Sequence, residues 1–374
     1  MQAEERDLLR KYREGACSEA EKALVEGWYL RFNEDGMGLS DKHLRELGKE
    51  IYTQLPGSKG RSSVKLWVGK MAAAAAIIAI VGGTLLYFSP GEAPKVNHTT
   101  STTPVANQAV LTLADGKEIM LDSSETGVLA SQDGLEIIKV SDGRLAYKIT
   151  DPQINVTAVG YSTISVPNGG QYEISLSDDS KVWLNAATSL KVPIAFAKSK
   201  ARRVTLSGEA YFEVFKDEAR PFIVQTAFED IKVLGTRFNV SAYNADAFTK
   251  TSLLEGAVEL SSRGSGNAPK VRLKPNQEAI NDGTGFSVQS ADPEIAISWK
   301  NGEFMFRNEP LQNIMLKVAR WYDMEVVYQD KAVGKERFGG SISRSASLAE
   351  VLELLEMTGD VHFSVEGKKI KISK

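Results

Sequence analysis

The chain has 374 residues, enough for two or three domains with cores of their own, and a formal net charge of −3, which gives no basic field for nucleic acid. Its single cysteine, Cys17, excludes a disulfide framework and a Cys-rich metal site. The three histidines, His43, His98 and His362, stand at no metal-ligand spacing, so neither metal nor cofactor is expected.

Residues 1–60 are expected to form a small all-α domain of three short helices. Leu8, Leu9 and Tyr12 share one face of the first. Ser18 and Glu21 have the spacing of a capping box, in which the carboxylate reaches back to the Ser18 amide. Leu24, Trp28 and Phe32 then recur every four residues, and Leu44, Leu47, Ile51 and Leu55 form a third stripe. So short a piece buries a marginal core, and clasping a partner through Leu24, Trp28 and Phe32 would stabilise it.

Met71 to Phe88 carries no charge, and with Leu66 to Lys70 the run extends over 66–88. At about 1.5 Å per residue it is long enough to cross roughly 30 Å of hydrocarbon, so a single transmembrane helix is expected there. Lys59, Arg61, Lys65 and Lys70 precede or enter the run, whereas only Lys95 is basic between it and Gln108. The positive-inside rule then puts the N-terminus in the cytoplasm and the C-terminal bulk outside an inner membrane. Residues 89–108, rich in Ser, Thr and Pro, read as an extended tether.

From Ala109 to about residue 290 the pattern is that of short strands, either a sandwich or a β-solenoid-like stack. Asp115-Gly116 and Asp142-Gly143 are hairpin signals, and Tyr172, Ile174 and Leu176 alternate as one half-buried strand face does. The alternation continues through "EAYFEVF" and "RPFIVQT". Residues 295–374 then give the order β-α-β-β-α-β-β, a small α+β domain. Leu311, Ile314, Val318 and Trp321 share a helical face, with Pro310 suited to its first turn. Ser347 and Glu350 form a second capping box, opening a helix lined by Leu348, Val351, Leu352 and Leu355. The aromatic group Arg320-Trp321-Tyr322 has two readings: an interaction patch, or the end of a helix with Trp321 packed on a sheet.

An enzyme acting on an external substrate finds little support. A nucleophilic triad needs a histidine, and the expected exported part offers only His98 and His362. Glu209 and Glu213 are four residues apart on an expected strand, about 13 Å, too far for a glycosidase pair.

The stretches "VPNGGQYEISLSDDSKVWLNAATSL", "LSGEAYFEVFKDEARPFIVQT" and "VLGTRFNVSAY" followed by "LLEGAVEL" resemble the periplasmic domain of FecR-type transmembrane anti-sigma regulators. "NGEFMFRNEPLQNIMLKVARWYDMEVVY" and "RFGGSISRSASLAEVLELLEMTGDVHFSV" resemble their C-terminal domain, itself similar to the short N-terminal domain of secretins and TonB-dependent transducers. In the N-terminal helices only Gly15, Ser18, Glu21 and Trp28 fit. The resemblance implies an inner-membrane anti-sigma factor that sequesters an extracytoplasmic-function sigma factor in the cytoplasm. Outside, it would relay the signal of a TonB-dependent outer-membrane transducer. Neither nucleic acid nor a small-molecule substrate is implied, and a structural or adaptor part of an envelope transport or secretion assembly is the alternative. In the resembled family a Gly-Thr step, here Gly235-Thr236, is associated with self-cleavage. No activating base is visible in sequence, so Gly235 reads as a bulge and Thr236 as a strand residue. One departure is Ser177-Asp178-Asp179-Ser180, where the family has P-D-G-T; loss of that glycine is expected to alter a hairpin turn.

Overall fold

The computed structural model describes residues 109–132, 135–150, 160–196, 200–263 and 270–374. The expected helical domain, the span at 66–88 and the tether lie outside these residues. Among the described residues no helix is long and apolar enough to cross a membrane.

Eighteen described strands before residue 291 form two sheets. The first runs, neighbour to neighbour, through Glu118–Met120, Val110–Thr112, Tyr161–Val166, Thr188–Pro193, the start of Arg202–Glu213, Phe222–Gln225, Glu229–Val233, Val258–Ser262 and Val271–Leu273. The second runs through Gly127–Gln132, Leu135–Ser141, Arg144–Ile149, Tyr172–Ser175, Lys181–Leu184, the end of Arg202–Glu213, Arg237–Ala242, Thr249–Glu255, Gln277–Asn281 and Phe286–Ser290. One continuous apolar core lies between them, drawing on Ile164 and Leu190 from the first sheet and Ile174 and Phe238 from the second. The chain visits the sheets in turn, one to three strands at a time. The β body therefore combines both expected descriptions: a sandwich in section, wound progressively along its length.

The strand Arg202–Glu213 belongs to both sheets. Thr205 to Ser207 pair with Thr188–Pro193 in the first sheet, and Gly208 to Glu213 pair with Arg237–Ala242 in the second. Gly208, at φ 112°, is the corner between them. A side chain there would strike Thr188, since a Cβ would lie 2.4 Å from its Oγ1 and 2.6 Å from its Cα.

Local signals mark the turns. Gly116 and Gly143 both take positive φ in the expected hairpins, and the Asp115 carboxylate accepts from the Lys117 amide. At Ser177–Ser180 the hairpin survives the missing glycine, contrary to expectation, because Asp179 itself takes the left-handed conformation, φ 66°. Its neighbour supplies the reason. The Asp178 carboxylate accepts from Ser180 N and Oγ and, at 2.6 Å, from Arg202 Nη1, so position 179 must turn. Aspartate is among the residues that tolerate this conformation best. Arg202, 1% exposed, also donates from Nε to Arg220 O and from Nη1 to Phe215 O.

Glu229 is a second buried charge-bearing group, fully enclosed where the two sheets meet. Thr251 Oγ1 donates to its Oε1 at 2.7 Å and Asn281 Nδ2 to its Oε2 at 3.1 Å. Burial pushes its carboxyl up to about 7, against the lowering effect of these two bonds. The folded pKa thus exceeds the unfolded one, and the native state favours the protonated form. The resulting stabilisation is complete below the unfolded pKa and is lost as pH rises to about 7. Stability of the β body should fall by on the order of 3 kcal/mol over that window through this group. Glu229→Gln should flatten the slope of the urea midpoint between pH 5 and 8; a slope unchanged in the variant would refute the assignment.

The C-terminal domain has its own core. Helix α1 (Pro293–Ile297) follows the β body, capped by the Asp292 carboxylate. Strand Glu303–Pro310 pairs with Arg337–Ser343, and Lys369–Ser373 lies between Glu325–Tyr328 and His362–Glu366. Helix α2 (Leu311–Tyr322) turns Leu311, Ile314, Met315 and Val318 inward. Pro310 ends the preceding strand in extended conformation, one residue before the helical turn in which it was expected. Helix α3 (Leu348–Thr358) opens with the expected capping box, Ser347 and Glu350 each bonding the other's backbone amide. The observed element order is the expected one with two additions, helix α1 ahead of the first strand and a 3₁₀ turn, Val333–Lys335, between two strands.

Candidate functional site at the domain seam

On the outer face of the second sheet, Trp183, Tyr211 and Asn239 form a cross-strand row, and Glu209 lies two residues along from Tyr211. An outer face is ordinarily solvated. Here Tyr211 and Asn239 are buried, and the segment after α1 lies on them: Trp299 bonds Asn239 and Lys300 sits over Tyr211. Lys300 Nζ sits 4.4 Å from the Trp183 ring centre and 5.2 Å from that of Tyr211.

Polar groups converge on this row from both domains. Asn185 Nδ2 donates to Glu209 Oε2 at 2.8 Å, and Asn239 Nδ2 to Glu209 Oε1 at 3.0 Å. Each amide oxygen accepts from the other domain's side of the seam: Asn185 Oδ1 from Arg344 Nη2 at 2.9 Å, Asn239 Oδ1 from Trp299 Nε1 at 3.1 Å. Arg344, 3% exposed, also donates from Nη1 to Trp299 O and lies 3.6 Å from the Trp321 ring centre. Burial lowers its guanidinium to about 10, against the Glu209 charge, so it stays protonated at neutral pH. Glu209 is its counter-charge, relayed through Asn185.

A second set of contacts follows the C-terminal end of α2. Arg320 pairs with Asp246, and its guanidinium lies 3.6 Å from the Tyr243 ring centre. Gly169 N donates to Arg320 O at 2.9 Å, and Asn168 Nδ2 to Asp323 Oδ1 at 2.8 Å. Tyr243 OH donates to Ala186 O at 3.0 Å, which ties this set to the first. Beside them runs a cleft of about 590 Å³, between residues such as Tyr243 and Phe248 of the β body and Leu316 and Arg320 of α2.

The expected site residues fall as follows. Leu24, Trp28 and Phe32 lie outside the described residues. Thr236 is buried, and its hydroxyl donates to Ala257 O at 3.0 Å. Gly235 is required by crowding, since a Cβ there would lie 2.7 Å from Lys216 Cα; the register shift falls just beyond, at Arg237/Phe238. The Arg320-Trp321-Tyr322 group combines both readings: it ends helix α2, with Tyr322 in the C-terminal core and Trp321 packed against that core, and Arg320 reaches across the seam. Trp321 also stacks on Arg344 and donates from Nε1 to Arg344 O. Glu209, weighed as a catalytic acid, is a hydrogen-bond acceptor for two asparagines. Among the described residues no group of His, Cys, Asp and Glu could hold a metal. Asn185, Asn239, Asp246, Trp299 and Arg344 were missed; the available signal was asparagine inside a strand, at Asn239, where that residue is depleted.

A wound β sandwich is thus joined through paired and stacked side chains to a small α+β domain. The family described as FecR protein matches residues 162–259, and that described as FecR, C-terminal, matches 303–372. No curated protein matches the chain. Two crystal structures of a candidate anti-sigma factor from Parabacteroides distasonis are similar, each at 32% identity over 57% of this chain. They cover 98% and 99% of that protein's chain, with TM-scores of 0.52 and 0.53. The chain belongs to the FecR family of anti-sigma factors.

Proposed function

We propose that this chain is a single-pass inner-membrane anti-sigma factor whose two ends act on opposite sides of the bilayer. Residues 1–60 sequester an extracytoplasmic-function sigma factor in the cytoplasm, with Leu24, Trp28 and Phe32 on the binding face. Residues 66–88 cross the membrane, 89–108 tether, and the β body and C-terminal domain lie in the periplasm. There the domain 295–374 meets a TonB-dependent outer-membrane transducer, possession of exposed sheet edges making strand addition the natural mode. Family membership carries this reading, supported by the apolar run and the basic residues on one flank of it. Thr236 acts in it as the residue that leads into the strand Arg237–Ala242, its hydroxyl donating to Ala257 O.

A sigma-dependent reporter tests it. Removal of residues 295–374 should abolish the response to the external signal while leaving the chain in the membrane. Trp28→Ala should weaken sigma-factor capture by removing a large aromatic anchor. An unaltered signal response in the truncated chain would exclude the relay role, and undiminished capture by a folded Trp28→Ala chain would exclude that interface.

A further inference from the structure

We propose that the seam is a cooperative latch: the C-terminal domain swings away from the β body as one unit, with the Arg344–Asn185–Glu209 relay and the Arg320–Asp246 pair letting go together. The inference rests on the relay reading for its purpose but on geometry for its substance.

The two hydrophobic cores share no residue. Each domain therefore keeps its apolar interior when the seam opens. The chain passes between them once, at Ala291-Asp292, so a single short segment serves as hinge. The seam itself is held by discrete hydrogen bonds, ion pairs and ring stacks, the composition of an interface that opens and closes.

Cooperativity follows from the buried guanidinium. Arg344 is 3% exposed, and its hydrogen-bond acceptors are Asn185 Oδ1 and Trp299 O. A partial opening that drew Arg344 from Asn185 without admitting water would leave a buried charge cut off from Glu209, a costly state. Full opening hydrates the guanidinium and the Glu209 carboxylate alike. The half-open seam is thus disfavoured against both ends. Tyr243 couples the second pair to the first, because Arg320 stacks on its ring while its hydroxyl bonds Ala186 O, next to Asn185.

The test is a distance measurement on the full chain. Spin labels are placed at Val140→Cys on the β body and Met357→Cys on α3, both exposed positions, in a Cys17→Ser background. Glu209→Gln removes the counter-charge; Asp246→Asn weakens the second pair at a loop position outside the core. Each should raise the ratio of a long to a short separation by about tenfold or more, and the long separation should be the same in both. Two different long separations, or a distribution unmoved by Asp246→Asn, would overturn the latch. Should Glu209→Gln fail to fold, Asp246→Asn still decides, since it must populate the long state by itself. None of these outcomes depends on a sigma factor, so a failed latch and a failed relay remain distinguishable.

Discussion

Asp178→Ala should cost the β body about 3–5 kcal/mol, far more than an exposed ion pair would, because it leaves Arg202 charged, buried and without its anion. The pair is 1% and 6% exposed, with 2.6 Å between Nη1 and Oδ2. The same carboxylate shapes the turn at Asp179 and bonds Ser180, whose Oγ accepts from Phe215 N at 3.0 Å. The loss therefore reaches the loop after the shared strand. The double variant Asp178→Ala with Arg202→Met removes the stranded charge and should recover most of the stability, since apolar replacement of a buried pair is often close to neutral. Urea unfolding of the single and double variants closes the cycle. A double variant as unstable as Asp178→Ala would show that the turn, and not the charge, dominates.

The second large effect is expected at the corner of the shared strand. Gly208→Val puts a β-branched side chain at φ 112° and drives it into Thr188, whose Oγ1 accepts from Glu209 N at 2.9 Å. Left-handed backbone costs an L-residue about 1–2 kcal/mol, and overpacking about 1–3 more. For a body of this size a combined loss near 4 kcal/mol lowers the melting temperature by roughly 10 °C. Because the residue belongs to both sheets, the thermal transition should move as a whole. A variant melting within a degree or two of the parent would mean that the corner is not where the sheets are joined.

What could be read from the sequence was what is decided locally. The Asp-Gly turns, the Ser347–Glu350 box and the apolar face of α2 each depend on residues within a few positions of one another, and they appear as expected. Assignment of strands to sheets was not legible, since period-two alternation says which face is buried and not which neighbour is paired. Tyr211 shows the limit: it lies on the face that alternation gives to solvent, yet it is buried, with Lys300 over its ring. Arg344 was hidden for a related reason. It stands in a polar stretch, "SISRSAS", and its partner Asn185 is 159 residues away. The resemblance supplied the family, but it carried no information about which side chains fasten the two domains.

The separateness of the two cores has a practical reading for anyone building chimeras. A graft of residues 292–374 from one relative onto the β body of another need not re-engineer an apolar interior. It has to transplant a short vocabulary of matched pairs: Arg344 with Asn185, Trp299 with Asn239, Arg320 with Asp246, Asp323 with Asn168. A hybrid that keeps those pairs in step retains the hydrogen bonds, ion pair and stacked rings that fasten one domain to the other.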